Sequence, residues 1–183
     1  MRQTETQAGT AKNVKSETSE HIVEWLRDAH AAEKQSEKML SMFCDRLENY
    51  PVLKTQIRKH IAETRGQAER LERCLEKFGK SESMMKDIGG KLLGMSQSLS
   101  GIFVEDEVIK GVLASYTFEH MEIASYRILI AAADACGDTM VKAVCEEILA
   151  EEIAMAEWLD DHMTEITDIY LERAEVPGVK AKH

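Results

Sequence analysis

Apolar residues recur along this chain at steps of three and four, and in four stretches an acidic residue or a histidine interrupts the stripe. Val112, Tyr116, Glu119, Ile123, Tyr126 and Ile130 follow one face of an α-helix. Val141, Cys145, Ile148, Glu152, Met155 and Leu159 follow another, with Glu152 in mid-stripe. The first half repeats the theme. Ile22, Leu26, Ala29, Glu33, Leu40, Phe43 and Leu47 form one stripe, with His30 a turn before Glu33. Leu53, Ile57, His60, Gln67, Leu71 and Phe78 form the next, with Glu63 one turn from both His60 and Gln67.

Punctuation divides these stripes. Tyr50-Pro51 ends the first helix and starts the second, and Gly79 and Gly137 stop the second and third. Ser19 and Asp138 suit N-caps, and Thr164 suits the start of a short last helix. The pattern predicts an all-α four-helix bundle with helices over 19–49, 51–78, 105–136 and 138–162 and a short helix over 164–172. Residues 79–104 are rich in Ser, Gly and Met and only weakly helical. They are expected to form one long crossover along a bundle of roughly 40 Å, at 1.5 Å per helical residue. Residues 1–18 are polar and expected to be disordered, and 175–183 form a tail.

A carboxylate on an apolar stripe is carried into the core, which is costly without a partner. Here the spacing is regular. Glu33 and Glu63 are 30 residues apart, as are Glu122 and Glu152, and each of the first pair precedes its counterpart by 89. At that offset His30 falls on Glu119. Two hairpins with matched acids mid-helix would bring four glutamates together at the bundle centre, the pattern of a di-metal carboxylate site. Glu33, Glu63, Glu122 and Glu152 are the expected ligands and Glu119 a fifth. His60 is balanced between ligand and supporting hydrogen-bond partner. His30, Gln67, Tyr116 and Tyr126 are expected in support. A donor set rich in oxygen, with little nitrogen and no thiolate, favours iron or manganese, two ions per chain. The bland alternative is a set of solvated glutamates, since 31% of the chain is charged. Matched spacing on apolar stripes weighs against it.

Composition agrees with one helical domain: 183 residues, 2 prolines, 10 glycines and 5% aromatic residues. A net charge of −10 argues against nucleic acid or anionic membrane surfaces as partners. No run is apolar for long enough to span a bilayer, and Met1–Thr18 has no apolar segment of the signal-peptide kind. Cys44, Cys74, Cys136 and Cys145 have no metal-finger or CxxC spacing and suit free thiols in a cytoplasmic protein.

The segments WLRDAHAAEKQ (25–35), NYP (49–51), HIAETRGQ (60–67), GIFVEDEVIKG (101–111), EHMEIASY (119–126) and LAEEIAMAEWL (149–159) resemble the YciE/YciF family of bacterial stress-induced proteins, its YciE members in particular. The resemblance covers nearly everything after residue 18. It implies a ferritin-like bundle related to rubrerythrins, often dimeric, with a two-metal centre that handles oxygen, peroxide or iron under stress. Such a centre could be a non-haem oxidase or peroxidase fed by an external reductant. It could also be non-catalytic, its metal structural or bound without turnover. The chain departs from the ferritin and rubrerythrin pattern. The histidine of Glu-x-x-His is replaced by Gly66 after Glu63 and by Met155 after Glu152, while Glu119 and Glu122 keep a Glu-x-x-Glu. A homodimer is expected, with apolar residues such as Val23 and Met42 facing outward into the contact.

Overall fold

The computed structural model describes residues 3–79 and 106–178, with side chains from residue 20 onward. Four helices account for these residues: α1 (Gln3–Arg46), α2 (Pro51–Lys77), α3 (Glu107–Cys136) and α4 (Thr139–Ala174). α1 packs with α2 and α3 with α4 as two hairpins, while α1 also lies against α3 and α2 against α4. Arg46 meets Glu107 and Glu33 meets Tyr126, so α1 and α3 run antiparallel. Gln67 meets Glu151 and Lys77 meets Asp138, so α2 and α4 do too. α2 therefore ends, and α3 begins, at opposite ends of the bundle. That is the all-α topology the stripes predicted. The expected crossover itself lies, apart from Gly79, outside the described residues, as do the last five residues of the tail.

Local chemistry sets the helix ends. Pro51, whose missing N–H costs nothing in a first turn, opens α2. Gly137 closes α3 in the left-handed region, with φ 73°, where other residues are strained. Asp138 then accepts from the Val141 amide at 3.1 Å as N-cap of α4, and Lys77 donates to both its oxygens at 2.7 Å. One further glycine is dictated by packing. A Cβ on Gly111 would overlap the Phe43 ring, so α1 and α3 approach closely only because Gly111 has none.

Three expectations are corrected. α1 begins at Gln3 and not at Ser19. No proline interrupts 3–18, Gly9 and Asn13 cost about 1 kcal/mol or less each, and extending a formed helix adds one hydrogen bond per residue fixed. α4 does not break at Thr164 but continues to Ala174. Ile166 is buried in the core and Ile169 packs against it, so the apolar stripe persists and no Gly or Pro stops the helix. Val23 is not outward-facing: it is buried in the core, whereas Met42 is 57% exposed.

The core is in two parts. One cluster includes Ile22, Leu26, Leu71, Cys74, Leu129, Ala133, Val141 and Ile148. The other includes Leu40, Phe43, Leu53, Ile57, Val108, Val112, Met155 and Leu159. Between them lies a layer of buried polar residues: Glu33 and Ser36 on α1, His60, Thr64 and Gln67 on α2, Ser115, Glu119 and Glu122 on α3, and Glu152 on α4. Among the described residues, no helix is long and apolar enough to cross a membrane.

Candidate metal centre

Each helix contributes to the polar layer because polar residues replace apolar ones on its inward face, while apolar neighbours a turn away hold that face inward. Two groups result. His60, Glu119 and Glu152 offer ligand atoms that all lie within 4.8 Å of one another, and so do Glu33, Glu122 and Glu152. Glu152 belongs to both groups. Glu33, His60, Glu119, Glu122 and Glu152 are each no more than 2% exposed.

Hydrogen bonding in this layer is incomplete. Both oxygens of Glu119, both of Glu122, Oε2 of Glu33 and Oε2 of Glu152 are buried without a hydrogen-bond partner among the described residues. His60 Nε2 lies 3.1 Å from Glu119 Oε2 and 3.7 Å from Glu152 Oε2, within ion-pair reach but not aligned as a hydrogen bond. The remaining oxygens are held. Tyr126 donates to Glu33 Oε1. Gln67 donates to Glu152 Oε1 and, at 3.0 Å, to Glu151 Oε2. Arg70 also reaches Glu151 Oε2.

Electrostatics follow from burial. Desolvation pushes Glu33 up to about 8, against the Tyr126 hydrogen bond and the nearby His60. Burial, then Glu119, pushes Glu152 up to about 10. Burial and the acids Glu33, Glu152 and Glu119 raise Glu122 well above the usual carboxylate range. For His60 burial acts downward, but Glu119, Glu63 and Glu152 together outweigh it and hold the imidazole at about 10. Burial and the crowding of acids thus favour proton retention in this layer.

The other expected residues sit outside the two groups. Glu63 is on the rim, 27% exposed, with Oε1 3.1 Å from Lys59 Nζ and Oε2 3.4 Å from His60 Nδ1. The hydrogen bond from His60 lowers its pKa. His30 is half-buried, its pKa lowered by burial in spite of Glu72. Tyr116 is half-buried and meets the edge of His120, with ring centroids 4.5 Å apart. Sequence reasoning missed Glu151, which accepts from Gln67 and so steadies Glu152, and Arg70, which holds Glu151. It also missed the buried Ser36, Thr64 and Ser115 of the same layer. Thr64 could have been found one turn after His60 on the same face, where its hydroxyl donates to the His60 carbonyl at 2.9 Å.

The donor set fits divalent cations. Four carboxylates and one imidazole converge in a buried layer whose unpartnered atoms among the described residues are nearly all acceptors, an arrangement that a cation completes and a further hydrogen bond within the chain does not.

The family described as a domain of unknown function, DUF892, matches residues 17–172. Protein YciF of Escherichia coli (strain K12) is 31% identical over 145 residues, 73% of this chain and 82% of that protein. A crystal structure of a protein from Xanthomonas campestris pv. campestris is similar with a TM-score of 0.73 and 41% identity, covering 87% of this chain and 99% of that one. The crystal structure of the E. coli stress protein YciF has a TM-score of 0.66 at 24% identity, covering 82% of this chain and 97% of that one, and speaks for the fold alone.

Proposed function

This chain belongs to the YciE/YciF family, matched as DUF892, and on that premise we propose that it is a stress-associated protein holding two iron or manganese ions in its buried acidic layer. The observation that carries this reading is the set of six carboxylate oxygens, on Glu33, Glu119, Glu122 and Glu152, buried at the bundle centre without hydrogen-bond partners among the described residues. His60, Glu119 and Glu152 would hold one ion and Glu33, Glu122 and Glu152 the other. When bound, such ions supply Lewis acidity and one-electron exchange with oxygen or peroxide.

The chain's own residues prepare the layer. Gln67, gripped through Glu151 by Arg70, fixes the Glu152 carboxylate. Tyr126 fixes Glu33, and Glu63 orients His60 through its Nδ1, as supporting groups do for metal-bound imidazoles. Apolar clusters flank the layer on either side along the bundle. Repeated turnover would need an external reductant. Cys44, Cys74, Cys136 and Cys145 are free, and three of them are buried.

The test is metal analysis of protein purified without chelator from iron- and manganese-supplied cells. Up to two ions per chain are expected, and a protein that carries none and cannot be loaded overturns the reading. A second reading makes the metal purely structural, favoured by the position of the layer between two apolar clusters contributed by all four helices. Anaerobic loading with Fe(II) followed by a peroxide pulse separates the two. Rapid oxidation that repeats on re-reduction supports catalysis, and an unchanged optical spectrum supports the structural role.

A further inference from the structure

A half-open cleft of about 460 Å³ lies between α1 and α3. Its walls are mostly apolar: Trp25, Ala29, Ala32 and Leu129 among them, with Ile128 at the edge. Trp25 and Ile128 are 38% and 54% exposed, so the mouth presents two large apolar side chains to solvent. The inner end is different. Glu122 and Tyr126 line it, and Glu122 is 2% exposed with neither carboxylate oxygen hydrogen-bonded among the described residues. The cleft thus connects an apolar mouth to a member of the acidic layer, and Tyr126 joins it to Glu33.

We infer that this cleft admits a neutral, mostly apolar organic molecule, a short alkyl chain or single ring bearing at most a hydroxyl or carbonyl, to the acidic centre. The inference rests on the metal-centre reading for the role of that molecule as the centre's substrate. The binding site stands on the cleft itself. Size is the first argument. The volume is within the range of small-molecule sites, and about three times that of a 150 Å³ apolar cavity able to take benzene. Oxygen or peroxide alone would not need such a space. Charge is the second. Among the described residues, Asp28 and Glu122 are the only ionisable side chains lining the cleft apart from Tyr126, and no Lys, Arg or His lines it. A carboxylate or phosphate would therefore meet no basic side chain on the described walls. Shape is the third. The feature is a concavity that ends on a buried polar group, whereas a flat helix face would suit a second copy of the chain.

The experiment follows Trp25 fluorescence while 1-hexanol, 1-octanol and 1-decanol are titrated into the full chain, with octanoate and octylammonium as charged controls. Trp158, which is stacked on His162 and away from this cleft, is first replaced by Phe to leave one reporter. Saturable binding is expected for the alcohols, tightening about fourfold per added CH₂ until the cleft is filled. Octanoate should bind at least about tenfold more weakly than octanol. Ala32→Phe, which fills the cleft, should weaken octanol binding about tenfold or more. Met121→Trp, at a half-buried lining position, is the second variant if Ala32→Phe does not fold, and is read by competition with a fluorescent alcohol. No saturable response from any alcohol, equal binding of octanoate, or binding unchanged in both variants overturns the inference. So does light scattering that shows the signal to be dissociation of a dimer, since a second copy then covers the cleft. Parallel titrations with chelator and with Mn(II) separate this result from the metal reading. Alcohol binding in a chain that takes no metal supports the cleft and sinks the centre. Metal binding without alcohol binding does the reverse.

Discussion

α2 and α4 carry acids at matched places in the two halves of the chain, Glu63 and Glu152, yet the bundle treats them differently. Glu152 is completely buried and shared between both ligand groups. Glu63 is 27% exposed, tied to Lys59 on one side and to His60 on the other. The reason is rotational. At 100° per residue, Glu152 lies near the middle of the face defined by Val141, Cys145, Ile148 and Leu159, whereas Glu63 lies roughly 90° from the middle of the face defined by Ile57, His60, Thr64 and Leu71. A repeat in sequence sets the level of a residue along the bundle. Its neighbours' hydrophobicity sets the direction in which it points. In α2 the inward place at that level is taken by His60 and Gln67, so the centre has an imidazole where a symmetric bundle would have a fourth matched carboxylate.

The largest test of this asymmetry is metal affinity. Glu152→Ala should weaken binding of both ions by more than about 100-fold, and Glu63→Ala only by about tenfold, as for a group that orients a ligand. Isothermal titration with Mn(II) measures both. Equal losses in the two variants would make Glu63 a ligand and restore the symmetric picture.

Glycines sharpen the contrast between hairpins. Gly111 on α3 leaves room for Phe43, while a Cβ on Gly66 of α2 would meet nothing within 4 Å among the described residues. Gly111→Ala should therefore destabilise by about 1–3 kcal/mol through overpacking. Gly66→Ala should stabilise by about 0.4–1 kcal/mol, through reduced freedom of the unfolded chain. Denaturant midpoints in chelator report both, and destabilisation by Gly66→Ala would show α2 to be packed as closely as α3 at that level.

The two glutamates also differ in sign with pH. Glu152 and Glu33 have folded pKa values raised to about 10 and about 8, and His60 is likewise raised to about 10. A raised pKa means that the folded state binds more protons, so each group favours folding fully only below its unfolded value. Metal-free stability should fall as pH rises from about 4.5, the ordinary Glu value, through 8 towards 10. Glu63 has a lowered pKa, and its contribution is present above the ordinary value and lost as pH falls through the folded one. Melting temperatures in chelator from pH 5 to 9 should decline in the wild type and decline less in Glu152→Gln. A flat wild-type profile would mean that the buried acids are already compensated within the chain.

The smallest effect belongs to Lys59. Its side chain is 63% exposed, so Lys59→Ala should change stability by no more than about 0.5 kcal/mol, and metal affinity less than Glu63→Ala does. A larger loss of metal would show that Lys59 positions Glu63, and through it His60.

Much of this molecule follows from its stripes. Periodicity predicts the all-α bundle, the glycine stop at 137 and the aspartate cap at 138, because these depend on neighbours three or four residues away and on backbone φ. Glu33, Glu119, Glu122 and Glu152 stand out for the same reason, as acids where an apolar residue is expected. Other features depend on contacts between residues distant in the chain. Gln67 meets Glu151 and Glu152 across 84 and 85 residues, and Tyr126 meets Glu33 across 93. The close approach at Gly111 and the cleft ending on Glu122 likewise exist only once α1 lies against α3. Local sequence specifies which face of a helix is apolar. Which polar groups that face then meets, and whether they are left without partners, is decided by the angle and level at which four helices pack.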